Sequence, residues 1–271
     1  MSKQLKYIDI HGHVNFSDYD KDREGVIKRA QEAGVGIIAV GTDIESSKKV
    51  VELAETHGNV WAIVGFHPTD AKVVDISGDF SVLDQLANNP KVVAIGECGL
   101  DYFHSRPEEI PKQREIFEKH IDLANKVGKP LMLHVRNERG ETSLARSHLA
   151  QDAYQEVIDI LKRRAKVRAN FHFFAGTIEN AKNIVEMGNS MSFGGVITFA
   201  RNYDEIIKNV PLINIMSETD CPFVAPIPYR GKRNEPLYVI EVVKKIAEIR
   251  GEKEEVVSTQ LLKNTRNFFI M

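Results

Sequence analysis

Apolar residues along this chain come in short continuous blocks rather than in strict alternation with polar ones. The blocks are Tyr7–Ile10, Gly36–Val40, Val60–Phe66, Val92–Ile95, Pro130–Val135, Val167–Phe171, Ser190–Phe193 and Leu212–Met216. A strand with one wet face alternates; a strand covered on both faces, as in a parallel sheet, reads as an unbroken apolar run. Between most of these blocks the apolar spacing lengthens to three or four residues, which predicts helices. They are expected over Asp22–Ala33, Glu45–Thr56, Pro111–Val127, Ala153–Lys162, Ile178–Met187, Pro236–Ile249 and Val256–Asn267. In Pro111–Val127 the stripe is Ile116, Phe117, His120, Ile121 and Ala124, the width a surface helix turns to a core. Gly34, Gly58, Gly128 and Gly188 stand at or near helix ends, where glycine accepts the left-handed conformation that stops a helix.

Eight strand signals separated by helices, with steps from Tyr7 to Leu212 averaging about 29 residues, match repeated βαβ units. The expectation is a single (β/α)8 TIM barrel over residues 1–271, with its site at the C-terminal ends of the strands. A doubly wound open sheet is the alternative, but it often carries a glycine-rich phosphate loop after the first strand. Here that strand runs into His11-Gly12-His13. No linker, repeat or low-complexity tract divides the chain. The polar stretch Asn137–Gln151 is longer than a usual βα loop and is expected over the active-site face.

Composition changes this picture little. The 271 residues are 42% hydrophobic and 27% charged, with a formal net charge of -2. That composition excludes a disordered chain, and the charge excludes a surface that is basic overall, so any nucleic-acid contact needs a local cationic patch. Two cysteines, Cys98 and Cys221, exclude a disulfide framework and are read as small core residues. No secretory signal and no membrane-spanning run are read in the sequence. The reading is a soluble, reduced, cytoplasmic protein; its oligomeric state is left open, a monomer included.

The chemistry is carried by what stands at the strand ends. The first ends in His11-Gly12-His13, the fourth in Glu97 to Asp101, the fifth in His134, the sixth in His172 and the eighth in Glu218-Thr219-Asp220. Residues two apart in an extended segment point the same way, so His11 and His13 can grip one ion, and Gly12 admits a close neighbour. A lone histidine at a strand end is ordinarily a hydrogen-bonded structural residue. Four histidines and two acids at one rim are different, because crowding them without a cation costs several kcal/mol each. The set exceeds what one tetrahedral ion takes and suits two divalent ions with Glu97 between them. Nitrogen and oxygen ligands without thiolate fit Zn, Mn, Co, Ni or Fe, and Mg less comfortably.

These residues resemble the TatD family of metal-dependent deoxyribonucleases, from Tyr7 to Phe269. The motifs are Asp9-Ile10-His11-Gly12-His13, Val64-Gly65-Phe66-His67-Pro68, Ala94-Ile95-Gly96-Glu97-Cys98-Gly99-Leu100-Asp101-Tyr102, Pro130-Leu131-Met132-Leu133-His134-Val135-Arg136, Glu218-Thr219-Asp220-Cys221-Pro222-Phe223 and Arg233-Asn234-Glu235-Pro236. The resemblance implies that His11, His13, Glu97, His134, His172 and Asp220 hold two divalent ions (Mg, Mn or Zn), with Glu97 bridging. It implies a phosphodiester hydrolase acting on single-stranded or 3′-end DNA, as a 3′-5′ exodeoxyribonuclease. Members are also linked to removal of D-amino acids from tRNA. Two features depart from the family pattern. The sixth-strand motif, usually His-Cys/Ser-Phe-x-Gly, is His172-Phe173-Phe174-Ala175-Gly176 here, and the Asn137–Gln151 loop is longer and more charged.

Around that set, Asp220 and Glu97 are the expected catalytic carboxylates, Asp220 accepting a proton from the attacking water. His67, Arg136 and Tyr102 are candidate substrate contacts: His67 for a phosphate oxygen or as a loop cap beside Pro68, Arg136 for a bidentate phosphate grip, Tyr102 for a base. Arg106, Arg139, Arg146, Arg201, Arg230, Lys232 and Arg233 add rim cations, several beside acids, so a mixed solvated surface is the default. Of the loop aromatics Phe103, Phe173, Phe174, Phe199 and Tyr229, most are expected in the core, Phe173 and Phe174 above all, and Trp61 with them. The competing reading is an ester or amide hydrolase on the same scaffold, such as a D-aminoacyl-tRNA deacylase. Related barrels often bridge their metals with a carboxylated lysine, and the fourth strand here offers Glu97 instead. A metal-loaded binding protein without catalysis is the third.

Overall fold

The computed structural model describes residues 4–138 and 152–271. Arg139, Glu141, Arg146, His148 and most of the Asn137–Gln151 stretch lie outside the described residues. Eight strands, β1 (Tyr7–Gly12), β2 (Val35–Val40), β3 (Val60–Val64), β4 (Val92–Asp101), β5 (Leu131–Arg136), β6 (Ala169–Phe171), β7 (Ser190–Phe193) and β8 (Ile215–Ser217), form one parallel sheet in sequence order. Helices α1 (Arg23–Glu32), α2 (Ile44–Thr56), α3 (Gly78–Ala87), α4 (Ile110–Val127), α5 (Ala153–Arg164), α6 (Ile178–Glu186), α7 (Asp204–Asn209), α8 (Val239–Arg250) and α9 (Glu254–Phe269) follow the strands. The sheet closes between its first and last strands through the Gly12–Cys221 bridge. This is a TIM barrel.

Each strand serves two cores, which is why its sequence is apolar throughout. One face of each meets the helices, as with Ile37 and Ala39 of β2 against Val50 and Ala54 of α2. The other face fills the barrel: Ile8, Ile10, Ile38, Val40, Ile63, Val93, Met132 and Met216. Phe268 and Phe269 at the end of α9 join this inner cluster, with Trp61 partly buried at its edge. On the β6–β7 side the filling turns polar. Ser190 donates to Asn170 (2.9 Å), Asn170 to Ser192 (2.8 Å), and Ser192 to Glu218 (2.6 Å), all buried.

Three differences from the expected elements have physical causes. β4 runs on to Asp101 instead of stopping at Ile95, pairing with β5 as far as Arg136, because Gly96 and Gly99 let two backbones close on each other; a Cβ at Gly96 would meet the Met132 carbonyl at 2.4 Å. Leu212–Asn214 form a tight turn ahead of β8, and the Asn264 amide donates to the Leu212 carbonyl (2.7 Å) and to the Ile215 carbonyl at the start of β8 (2.9 Å). The α3 and α7 helices were not expected: α3 starts on a glycine without a side-chain cap, and α7 has six residues, too few to show a period.

The β1–β8 seam is stitched by one buried side chain. Asp9 accepts hydrogen bonds from the Thr219 N–H (2.8 Å) and hydroxyl (2.5 Å) and from the His11 N–H (3.3 Å). Gly12 leaves the room this needs, since a Cβ there would sit 2.9 Å from Cys221 Sγ. Asp9→Ala orphans the Thr219 donors and is expected to cost about 2–3 kcal/mol in urea unfolding; an unchanged midpoint shows that the backbone bridge alone holds the seam.

His120 of α4 is also fully buried, donating from Nδ1 to the Ile116 carbonyl (2.8 Å) and accepting the Phe66 N–H at Nε2 (3.0 Å). Burial lowers its pKa from 6.5 to about 4. The unfolded chain therefore binds a proton between those values that the fold rejects, so the stability from this residue is complete above pH 6.5 and is lost on acidification. The loss reaches about 3 kcal/mol near pH 4. Urea midpoints measured across that window should fall less in His120→Gln than in the parent.

Candidate metal centre

Five strands bring the six expected ligands to one end of the barrel. His11 and His13 present their Nε2 atoms 3.3 Å apart. Asp220 Oδ1 lies 3.8 Å from the first and 3.5 Å from the second. Its backbone N–H donates to the His11 carbonyl (2.9 Å), which fixes the turn on which it sits. Glu97, inside β4 rather than at its end, reaches the middle of the group. Its Oε2 faces His11 (3.3 Å) and His13 (3.7 Å); its Oε1 faces His172 (2.8 Å) and His134 (3.0 Å). Among the described residues, three triads have ligand atoms close enough to share an ion: His11–Glu97–His172, His11–His13–Asp220 and His67–Glu97–His134.

The donor set fits divalent ions. Pairs of ring nitrogens face each other across 3.3 Å at His11–His13 and 3.4 Å at His134–His172. The outer nitrogen of several rings is already engaged: His13 Nδ1 at the Val40 carbonyl (3.1 Å) and His134 Nε2 at Asp101 (2.9 Å). Glu218 faces His172 Nδ1 at 3.5 Å while accepting from the Phe173 N–H (2.6 Å) and the Ser192 hydroxyl. An imidazole held on one nitrogen by a carbonyl or carboxylate offers the other as a lone pair, the usual support of a metal-binding histidine. His11 stacks flat on His172 (3.8 Å, 8°).

The electrostatics agree. Burial pushes the Glu97 carboxyl up, but His172, His11 and His67 outweigh it and hold the group well below the ordinary carboxylate range. Burial pulls His172 down, but Glu97 and Glu218 outweigh it and lift the ring well above its ordinary value. His134 and His13 are lifted against burial as well, by Asp101 and Glu97 and by Asp220 and Glu97. The carboxylates thus demand positive charge, which protons supply and a divalent cation would supply in their place, releasing those protons.

The other expected contacts divide. His67 joins the cluster, with Nε2 3.6 Å from Glu97 Oε1, and also caps the turn beside Pro68 by accepting the Thr69 N–H at Nδ1. Burial and the neighbouring His134 lower its pKa to about 3, so it meets a phosphate oxygen as a neutral donor. Arg136 lines the cavity with His134, its guanidinium 4.3 Å over the Phe103 ring. Tyr102 is a correction. It is 5% exposed and points away from the cavity, its hydroxyl donating to Glu156 (2.5 Å) beside Arg114. Alternation along β4 is the cause: Asp101 turns inward, so Tyr102 turns out between α4 and α5. Phe174 is buried as expected, but Phe173 lines the cavity. Arg106 and Arg201 pair with surface acids, Arg233 ties Asp22 (2.7 and 2.8 Å), and Tyr229 stacks on Tyr238. Arg230 lies 4.0 Å over Phe199 on the cavity wall. Cys98 and Cys221 are buried and free.

Asp9, Asp101 and Glu218 were legible as acids in the motifs but received no role. The signal was spacing: Glu218 stands two before Asp220, and Asp101 four after Glu97, so each shares its strand face with a candidate ligand.

Comparison with known proteins agrees with this geometry. The description of the TatD-related DNase family matches residues 8–270. The chain is 37% identical to YabD of Bacillus subtilis (strain 168), a metal-dependent hydrolase, across 96% of this chain and 98% of that protein. It is 33% identical to the metal-dependent hydrolase TatD of Mycobacterium tuberculosis (strain ATCC 25618 / H37Rv), across 97% of each. The crystal structure of YjjV, a TatD homolog from Escherichia coli K12, superposes with a TM-score of 0.86 at 28% identity, covering 98% of this chain and 99% of that one. The chain belongs to the TatD-related DNase family of metal-dependent hydrolases.

Proposed function

We infer that this protein is a phosphodiesterase removing nucleotides from the 3′ end of single-stranded DNA, with two divalent ions held by His11, His13, Glu97, His134, His172 and Asp220. The observation that carries the reading is Glu97, whose two oxygens face two different histidine sets, Oε2 toward His11 and His13, Oε1 toward His134 and His172. A carboxylate so placed would offer one oxygen to each of two ions held by those histidine sets. Such ions, when bound, supply hydroxide at neutral pH and neutralise charge that builds on phosphoryl oxygens.

The chain's own groups do the rest. Asp220, its side chain 17% exposed at the cavity floor, accepts the proton of the attacking water on its carboxylate. His67 donates from Nε2 to a phosphate oxygen. Arg136, steadied on Phe103, takes the phosphate bidentately. Asp101, Glu218 and the Val40 carbonyl keep the imidazoles aimed. The family description names DNA cleavage, which supports the same substrate.

Purified protein incubated with a labelled single-stranded oligonucleotide and Mn, Mg or Zn should shorten it from the 3′ end and stop on chelation. Asp220→Asn should lower the rate about 10²–10⁴-fold with metal still bound. Ester turnover without oligonucleotide turnover would replace this reading with a deacylase. Elemental analysis should find about two ions per chain in the parent and fewer in Glu97→Ala. Because the histidine pKa values of His13, His134 and His172 are raised, protons compete more strongly as pH falls, and titration calorimetry should show weaker metal uptake at pH 5.5 than at 7.5.

A further inference from the structure

The cavity above the cluster has a volume of about 900 Å³, room for much more than a phosphate group. The metal-ligating side chains line it, and so do five aromatic ones: Phe16, Phe173, Phe199, Tyr203 and Phe223. A phosphate group by itself has no use for such rings. Phe223 is the unusual member. Its side chain follows Asp220 by three residues and is 50% exposed, although large aromatic groups are ordinarily covered. Its backbone is nonetheless fixed. The Phe223 N–H donates to the Asp220 carbonyl (2.9 Å), and the buried Asn234 amide donates to the Phe223 and Thr219 carbonyls (2.6 and 2.9 Å). The backbone that carries the ring is therefore fixed relative to the Asp220 turn. It meets Phe16 edge-on, at 6.3 Å and 73°, and Phe16 lies flat on His13 at 4.5 Å and 16°. The two rings form a corner that opens from the ligand His13 outward.

We propose that the Phe16–Phe223 corner is a nucleobase subsite, in which the base of the 3′-terminal nucleotide stacks on Phe223 while its phosphate lies at the cluster. This rests on the phosphodiesterase reading of the same site. Stacking on a π-face accepts every base, so the subsite reads the presence of a base and not its identity.

The test compares a trithymidylate with the same molecule carrying an abasic 3′ residue. The parent should favour the base-bearing substrate in kcat/KM by about tenfold. Phe223→Ala and Phe223→Leu, the latter keeping apolar bulk, should bring that ratio close to one, and Phe223→Trp should keep it. A parent that does not distinguish the two substrates overturns the proposal. So does an equal loss on both in Phe223→Ala and Phe223→Leu, which assigns the ring to holding the Asp220 turn. If the parent cleaves neither substrate, fluorescence anisotropy with 5′-labelled trinucleotides decides. A parent preference for the base-bearing ligand that Phe223→Leu abolishes keeps the subsite while the phosphodiesterase reading falls; no preference removes the subsite.

Discussion

A carboxylate buried among imidazoles is the interaction on which this molecule turns. Glu97 lies inside β4 with its two oxygens committed in opposite directions, and so little of it is exposed that the side chains around it must balance its charge. The histidines must come to it, and they must come from four other strand ends. A parallel barrel is a solution to that requirement, because it gathers the C-terminal ends of all its strands on one rim. The unusual length of β4, ten residues against three to six for the others, is what carries a carboxylate from the middle of a strand into the middle of that rim.

Holding the rings is a separate task, and polar groups buried beneath them do it. Asp101 and the Val40 carbonyl fix one nitrogen each of His134 and His13. Glu218 stands behind His172 and is itself anchored by the chain from Ser190 through Asn170 and Ser192. That chain explains why the barrel interior is apolar on one side and polar on the other. A fully apolar filling would leave Glu218 Oε2 without the Ser192 donor, a buried charged oxygen with an unmet hydrogen bond. The polar side of the core is thus an extension of the site.

Much of this was legible from residues alone. Strand number, barrel closure and the six clustered side chains follow from where apolar runs stop and histidines begin, because burial on two faces and crowding at one rim leave direct marks on composition. What escaped was set by geometry that no local pattern encodes. Tyr102 sits in the same motif as Glu97 yet faces away, since one residue of alternation separates it from Asp101. Phe173 looked like core because it neighbours Phe174, but the backbone at Phe173 is left-handed and turns its ring into the cavity. The supporting acids went unassigned for a related reason: their partners are ring nitrogens from other strands, and pairing across strands depends on register. Phe16 and Phe223 drew no attention as a pair because they come together only when the barrel closes.

The closing seam joins Asp9 to Thr219, 210 positions away. Its neighbours His11, His13 and Asp220 make up one whole side of the cluster. A polypeptide emerging from the ribosome has the first two early and lacks the third until most of its length has been synthesised. During that interval Glu97 and its surrounding rings have an open flank. A chain that stops short of Asp220 therefore lacks one side of the cluster, whatever else of the barrel it holds.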